Sequence, residues 1–325
     1  MTIGSRFPRM RTTRIRLVAV LGIVAVAAAC TVAFVGVSGD TTTADVATEP
    51  IVGVRTFEAP KNVTVTTDIT YGTRPDGGPL QLDVCSTTPA GSPPRPAVVS
   101  IHGGSWTRGD KSSDDWRQVC EWLASEGFVA YSVDYGLTPT TPFPAGIDDI
   151  QAAVEWIRAP ANADRFGTDA DRIGAFGGSA GANLAALLGT RGEGPLTEGS
   201  RVAAVAELSG PSDLRGASMA TDGASPRLQN LVLRYLGCDS LSACPQAADA
   251  SPLTQLDASD PPFFIANSAR EFVPLTQATR FASALDSLGI RHELVTVPGG
   301  VHSIGLLDAE LRARVAAFLH DNLGS

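Results

Sequence analysis

The sequence predicts an α/β fold in which helices cover both faces of a mostly parallel central sheet. Along residues 61–325, short apolar runs typical of buried strands alternate with amphipathic stretches typical of helices. Strands that alternate with helices form parallel sheets, and the functional loops of such sheets gather at the carboxyl ends of the strands. The segments that combine Gly with His or Ser follow these strands.

The predicted elements follow one another in regular order. Strands are predicted near Ile69 and at residues 80–84, 97–101, 129–133, 172–176, 202–208, 262–266 and 292–297. Helices are predicted at residues 115–126, 147–158, 182–188, 226–236, 275–288 and 308–323. The strand at 97–101 is a continuous apolar run typical of a buried position, whereas the last strand alternates. A stretch rich in Ser, Ala and Pro, residues 213–260, surrounds one amphipathic helix and is predicted to form a small partial lid.

The pentapeptide Gly-Gly-Ser-Ala-Gly at residues 177–181 joins a predicted strand to a predicted helix. A chain that turns from strand to helix within a few residues forces the central residue into a strained conformation, and small neighbours relieve the crowding. Ser179 would then stand exposed at the helix N-terminus, where a developing negative charge is stabilised. Ser179 is therefore the candidate nucleophile.

A second glycine-rich segment, His-Gly-Gly-Ser-Trp at residues 102–106, follows the strand at 97–101. Glycines after a strand leave their backbone N–H groups free to point into a cleft, as an oxyanion-binding loop requires. The alternative is a tight turn after the strand. A tight turn requires neither a His before two glycines nor a Trp after them. The presence of both favours the oxyanion loop.

One of the four histidines stands where a general base is expected. His302 follows the last strand on the segment Pro-Gly-Gly-Val-His, from which an imidazole can reach the nucleophile and take its proton. The other three lie in the glycine loop, in the last strand and in the C-terminal helix, where structural or solvated roles are simpler: His102, His292 and His320.

The carboxylate that orients this histidine is expected on the loop after the strand at 262–266. Glu271 is the only carboxylate in residues 267–274 and is therefore the candidate acid. The alternative for Glu271 is a surface ion pair with Arg270. Asp257 and Asp260 precede the strand and would face the wrong end of the sheet.

The chain resembles the α/β-hydrolase superfamily and, within it, the esterases of the hormone-sensitive-lipase and feruloyl-esterase-like (BD-FAE-like) groups. The matching motifs span about residues 65–323: residues 102–106, 134–139, 143–145, Asp148, Trp156, 171–173, 177–181, 273–274 and 298–302. The resemblance implies an α/β-hydrolase fold and hydrolysis of short-chain or small carboxylic esters through an acyl-enzyme intermediate, without a cofactor. It also implies a structural role for Asp134 near the oxyanion loop.

The same resemblance implies the site. Ser179 would be the nucleophile and His302 the base, and the oxyanion would be held by the backbone amides of Gly103, Gly104 and Ala180. The sequence departs from the family where Arg270 occupies the usual position of the acid and the carboxylate is displaced to Glu271.

A second departure concerns the cap. Residues 40–60 are predicted to be a linker rather than the N-terminal helical cap of the lipase-like group, so the site is expected to be more open.

Two other functions are compatible with these residues. An amidase or peptidase similar to the arylformamidases would use the same triad and shares the His-Gly-Gly-x-Trp loop. A non-catalytic, envelope-associated binding module would keep the fold without turnover, and the displaced acid is the feature in its favour.

The N-terminus predicts export from the cytoplasm. Five arginines between residues 6 and 16 precede an uninterrupted apolar stretch at residues 17–37, which is long enough to cross a bilayer. Residues 1–39 are therefore predicted to be a signal peptide or transmembrane anchor, and residues 40–60 a flexible linker. Cleavage, lipidation at Cys30 and retention as an anchor remain open, and all three place the domain at 61–325 outside the cytoplasm.

The remaining cysteines agree with an oxidising compartment. Cys85, Cys120, Cys238 and Cys244 are even in number and allow three pairings. The pairing of Cys85 with Cys120 and of Cys238 with Cys244 is favoured, because it closes one short loop and ties an early strand to the first helix. No Cys-x-x-Cys or His cluster has metal-ligand spacing, so no metal site is predicted.

Composition limits the partners. Hydrophobic residues make up 43% of the chain and charged residues 18%, which is ample for a sizeable core. A formal net charge of −9 argues against a nucleic-acid partner. The expected partner is a small-molecule ester, with the membrane as a second one if the N-terminal segment is uncleaved. The sequence leaves the oligomeric state open.

Overall fold

The computed structural model describes residues 58–74, 77–87 and 92–324. These residues belong to one compact unit that runs from Thr48 to Ser325. The predicted signal or anchor segment at 1–39 and all of the predicted linker up to residue 57 lie outside the described residues. Within the described ranges, no helix combines the length and apolarity needed to cross a bilayer.

Eight strands and ten α-helices make up the described part of the chain. The strands are β1 (Thr64–Thr73), β2 (Pro79–Ser86), β3 (Arg95–Ile101), β4 (Val129–Val133), β5 (Thr168–Gly178), β6 (Val205–Leu208), β7 (Phe263–Ser268) and β8 (His292–Val297). The helices are α1 (Asp114–Ser125), α2 (Ala145–Arg158), α3 (Pro160–Phe166), α4 (Ala180–Thr190), α5 (Gly216–Thr221), α6 (Pro226–Leu236), α7 (Gln246–Asp249), α8 (Pro252–Gln255), α9 (Leu275–Leu288) and α10 (Ala309–Leu323).

All eight strands form one sheet in the order β1-β2-β4-β3-β5-β6-β7-β8. The pairs β1–β2 and β2–β4 are antiparallel, and every pair from β4 to β8 along the sheet is parallel. The carboxyl ends of β3, β5, β6, β7 and β8 therefore lie along one edge. This is the predicted fold class, the α/β-hydrolase fold.

Side chains of the central strands alternate between two buried layers. On β3, Val99 and Ile101 join the layer that contains α2, α4 and α9, whereas Val98 joins the layer that contains α1 and α10. Both layers are apolar, and the helices bury one face each against the sheet. The prediction of helices on both faces is confirmed.

Two helical regions differ from the sequence prediction. Helix α3 was not expected, although Pro160 at its first position is typical of a helix start. The lid region contains four helices, α5 to α8, where the sequence predicted one. Only α6 matches the predicted helix, because α7 and α8 have four residues each and are too short to show a helical period.

Two disulfides join the cysteines in the favoured pairing. Cys85 on β2 bonds to Cys120 on α1, with 5.8 Å between the Cα atoms. Cys238 bonds to Cys244 and closes a short loop directly after α6. The first bridge fixes a surface helix to the sheet, and the second fixes the lid segment that follows α6. Disulfides of this kind are typical of proteins outside the reducing cytoplasm.

Candidate active site

The turn from β5 to α4 presents Ser179 at the carboxyl edge of the sheet. Ser179 has φ 57° and ψ −120°, a left-handed conformation that few non-glycine residues adopt. A Cβ on Gly177 would lie 2.1 Å from the carbonyl oxygen of Gly181, and a Cβ on Gly181 would lie 2.0 Å from that of Ile101. Both positions therefore require glycine, because the turn brings backbone against backbone.

His302 lies next to this serine. It follows β8 on the Pro-Gly-Gly-Val-His segment, and its Nε2 is 2.8 Å from Ser179 Oγ. The side chain of His302 is 16% exposed, so part of it can be reached from solvent. On its other side, Nδ1 donates a hydrogen bond to Oε2 of Glu271. The structure thus brings together the three residues that the sequence singled out.

The side chain of Glu271 is completely buried, and both of its carboxylate oxygens are hydrogen-bonded. Its second oxygen, Oε1, accepts bonds from the backbone amide of Ser268 at 2.7 Å and from Ser209 Oγ at 2.9 Å. None of the side chain of Glu271 is exposed, so the alternative of a surface ion pair with Arg270 does not apply. A carboxylate held at both oxygens cannot swing away, and it fixes the orientation of the imidazole.

Two serines tie the acid loop to the histidine loop, and sequence reasoning missed both. Ser209 Oγ donates to Glu271 and accepts a bond at 2.8 Å from the backbone amide of Ser303, next to His302. Ser268 Oγ donates to the carbonyl of Val301 at 2.6 Å. The available signal was position alone, because Ser209 directly follows β6 and Ser268 ends β7, at the same edge of the sheet.

The predicted oxyanion loop runs beside the nucleophile turn. A Cβ on Gly103 would lie 3.4 Å from the Cβ of Ser179. The backbone of the glycine loop therefore lies directly against the Ser179 side chain. Within the described part of the chain, no hydrogen bond occupies the amides of Gly103 and Gly104. Ala180 is the first residue of α4, and the amide of such a residue has no partner within its helix. The three amides therefore remain free for a ligand, and their role in binding an oxyanion stays a prediction.

His102 shapes this loop rather than taking part in proton transfer. Its ring is buried, stacks on Tyr135 with 4.3 Å between centroids, and hydrogen-bonds the carbonyl of Gly103 through Nδ1 at 2.8 Å. Burial lowers the pKa of His102 below its usual value, which keeps the ring neutral. Tyr135 Oη donates to the carbonyl of His102 at 2.9 Å and completes the brace.

Asp134 also serves the loop structure. Its Oδ1 accepts a hydrogen bond at 2.8 Å from the backbone amide of Lys111, in the segment that follows the glycine loop. Burial raises the pKa of Asp134. Its carboxylate is engaged with the Lys111 amide, as the sequence predicted for a structural residue.

The lid is anchored to the glycine loop by aromatic stacking. Trp106 is buried and lies flat on Tyr235 of α6, with 4.4 Å between centroids and an interplanar angle of 8°. Phe143 packs edge-on to Tyr235, and its backbone amide donates to the Tyr235 carbonyl at 2.8 Å. The C-terminal end of α6 is therefore fixed to the same loop that carries Gly103 and Gly104.

A second buried carboxyl group lies close to the acid. Glu207 on β6 is 2% exposed, and its Oε2 accepts a bond from the Gly210 amide at 2.9 Å. Burial raises the pKa of Glu207 to about 8, and the carboxylate of Glu271 contributes to the rise. Glu207 is therefore mainly protonated at neutral pH, which reduces the negative charge beside Glu271.

Glu207→Gln should flatten the pH dependence of stability. The pKa of Glu207 rises from an ordinary value of 4.5 in the unfolded chain to about 8 in the folded protein. Its contribution to stability is complete below pH 4.5 and is lost as the pH rises to 8, by up to about 1.4 kcal/mol per pH unit. Glutamine is neutral in both states and can still accept the Gly210 bond.

Denaturant unfolding of both proteins between pH 5 and pH 8 measures this effect. The free energy of unfolding of Glu207→Gln should fall less steeply with pH than that of the wild type. Glu310→Gln, at an exposed position on α10, is the matched control and should keep the wild-type slope. Equal slopes for Glu207→Gln and wild type would contradict the prediction.

In residues 58–74, 77–87 and 92–324, no group of three or more His, Cys, Asp or Glu side chains could hold a metal ion. The groups that the site presents are a hydroxyl, an imidazole, a carboxylate and backbone amides. A serine–histidine–carboxylate chain at the carboxyl edge of such a sheet is the site architecture of the α/β-hydrolases.

The comparisons with known proteins identify the family. The BD-FAE family model matches residues 82–285, more than half of the chain, and the protein belongs to that family. Esterase LipQ of Mycobacterium tuberculosis is 30% identical over 270 residues, which cover 80% of this chain and 62% of LipQ. Esterase LipC of the same organism is 31% identical over 238 residues, which cover 70% of this chain and 57% of LipC.

A solved structure agrees with this placement. EstE1, a thermophilic carboxylesterase cloned from a metagenomic library, has a TM-score of 0.66 and 25% sequence identity, covering 82% of this chain and 91% of EstE1. The match to the curated relatives reaches only 57% to 62% of their length. The relatives are esterases, and the feruloyl-esterase-like resemblance predicted from the motifs is confirmed.

Proposed function

We propose that this protein is a serine carboxylesterase that hydrolyses short-chain or small carboxylic esters through an acyl-enzyme intermediate. The observation that carries the proposal is the hydrogen-bonded chain from Ser179 Oγ through His302 to the buried Glu271. The esterase names of the relatives support ester hydrolysis as the reaction type.

In the first half of the reaction, Ser179 Oγ attacks the ester carbonyl carbon and its proton moves to Nε2 of His302. The carbonyl oxygen becomes an oxyanion, which the amides of Gly103, Gly104 and Ala180 stabilise by hydrogen bonds. The bond from carbon to the alcohol oxygen then breaks, and His302 gives its proton to the leaving alcohol. Glu271 stabilises the imidazolium throughout.

Water completes the second half. His302 takes a proton from a water molecule, whose oxygen attacks the acyl carbon of the Ser179 ester. The bond to Oγ breaks, the proton returns to Ser179, and the carboxylic acid leaves. The 16% exposure of the His302 side chain supports this step, because the water must reach the imidazole from solvent.

A fluorophosphonate probe together with an ester panel tests the proposal. The probe should label the protein once per chain, on the peptide that contains Ser179, and should abolish turnover of p-nitrophenyl acetate in proportion to labelling. Acyl chains from acetate to octanoate, with methyl ferulate and acetylated sugars, would define the substrate class. Matched amides separate an esterase from an amidase of the arylformamidase type. Absence of both labelling and turnover would favour the non-catalytic binding module.

We also propose that the domain works outside the cytoplasm. The two disulfides support an oxidising compartment. The basic segment followed by the apolar stretch at residues 17–37 supports export, with the chain either released or held at the membrane.

A further inference from the structure

We propose that Arg227, on the lid helix α6, is a specificity-determining residue that favours esters whose leaving alcohol carries a carboxylate or another anionic group. The inference rests on the proposed esterase function and adds a substrate class to it. It stands on a contiguous stack of three side chains: Arg227, Phe272 and His302.

Phe272 links the catalytic histidine to the lid. It is half-buried, directly follows Glu271, and its ring lies edge-on to the ring of His302, with 5.8 Å between centroids and an interplanar angle of 82°. The ring of Phe272 therefore lies directly beside the catalytic histidine.

Arg227 covers the same phenyl ring. Its guanidinium carbon lies 5.5 Å from the Phe272 ring centroid, a distance at which the cation is attracted to the ring. Arg227 is exposed, and none of the salt bridges among the described residues includes it. Its charge is thus held near the site by the ring and is not neutralised by a carboxylate.

The mechanism decides which part of the substrate meets this charge. His302 donates a proton to the leaving alcohol, so the alcohol must lie on the His302 side of the reacting carbon. Phe272 and Arg227 extend from that side. An anionic group on the alcohol therefore approaches the guanidinium, whereas the acyl group lies on the opposite side of the reacting carbon.

The positive charge of Arg227 is set against a negatively charged protein. A formal net charge of −9 repels anionic substrates at long range. A solvent-exposed pair of opposite charges about 5 Å apart gains on the order of 1 kcal/mol, which corresponds to about a fivefold change in rate. The contribution should decrease as salt is added.

The test compares two acetate esters of equal size, 4-acetoxybenzoate and the neutral 4-acetoxybenzamide. The measured quantity is the ratio of their kcat/KM values, which cancels any general loss of activity. In Arg227→Gln the ratio of anionic to neutral ester should fall about three- to tenfold, and 0.5 M NaCl should shrink the difference in this ratio between the wild type and Arg227→Gln.

Arg165→Gln is the matched control. Arg165 is also exposed and lies over a phenylalanine ring, with 4.8 Å from its guanidinium carbon to the Phe166 centroid. It belongs to α3, which precedes β5 and so lies at the opposite end of the sheet from Ser179. This variant should keep the wild-type ratio.

Three outcomes overturn the inference: an unchanged ratio in Arg227→Gln, an equal fall in Arg165→Gln, or a difference between the wild-type and Arg227→Gln ratios that does not depend on salt. Failure of the underlying function is a different result, because the wild type would then hydrolyse neither ester. If the wild type hydrolyses 4-acetoxybenzamide and Arg227→Gln keeps the wild-type ratio, the proposed esterase function stands and Arg227 does not determine specificity.

Discussion

Replacing Ser179 with alanine should lower kcat/KM for p-nitrophenyl acetate by about 10⁴-fold or more. Alanine supplies no oxygen to attack the carbonyl carbon, so neither the acyl-enzyme nor its hydrolysis can follow. The amides of Gly103, Gly104 and Ala180 remain in place and can leave only a small residual rate, since removal of a nucleophile leaves oxyanion stabilisation intact.

The fold should survive this substitution. The hydroxyl of Ser179 makes one side-chain hydrogen bond, to His302, and no capping bond to α4. Alanine at φ 57° is strained about as much as serine, so the free energy of unfolding should change by less than about 1 kcal/mol. Ser283→Ala, at an exposed position on α9, is the control and should keep wild-type activity. Retention of a tenth or more of the activity by Ser179→Ala, with normal folding, would remove Ser179 from the mechanism.

Replacing Glu271 with glutamine should lower kcat by about 10²- to 10⁴-fold. The amide oxygen of glutamine must accept the bonds from the Ser268 amide and from Ser209 Oγ, so its NH₂ group faces Nδ1 of His302. Nδ1 then becomes an acceptor, and the proton of the neutral ring moves to Nε2. A ring protonated at Nε2 cannot take the proton of Ser179.

The steady-state rate of p-nitrophenyl acetate hydrolysis measures this loss. Asp257→Asn is the matched control, because Asp257 precedes β7 and lies at the other end of the strand that leads to Glu271. Its activity should match that of the wild type. A loss of less than tenfold in Glu271→Gln would contradict the prediction. The acid would then be another residue, and a carboxylate at position 271 would not replace the family's usual acid at position 270.

The catalytic loops were predictable because local sequence determines them. Gly177, Ser179 and Gly181 are typical of a tight turn between a strand and a helix. An apolar run precedes each of the three loops, which indicates that each loop follows a strand. His302 and Glu271 could be chosen by elimination, since each is the only residue of its kind on its loop. The sequence allowed two roles for Glu271, the acid beside His302 or a surface ion pair with Arg270. The structure excludes the surface ion pair, because the side chain of Glu271 is completely buried.

Other features depend on contacts between distant segments and carry no local signal. Ser209 hydrogen-bonds Glu271 and Ser303, which lie 62 and 94 residues further along the chain, so its own segment gives no sign of these contacts. The place of β4 between β2 and β3 follows from strand pairing and not from the order of the strands. The stack of Arg227 on Phe272 joins the lid to the acid loop, and neither residue stands out in its own segment.

The stacking of Trp106 on Tyr235 couples the position of the C-terminal turn of α6 to that of the glycine loop beside Ser179. Displacing the C-terminal turn of α6 would separate two buried rings and disturb the amides beside Ser179, and the Cys238–Cys244 bridge holds the chain directly beyond it.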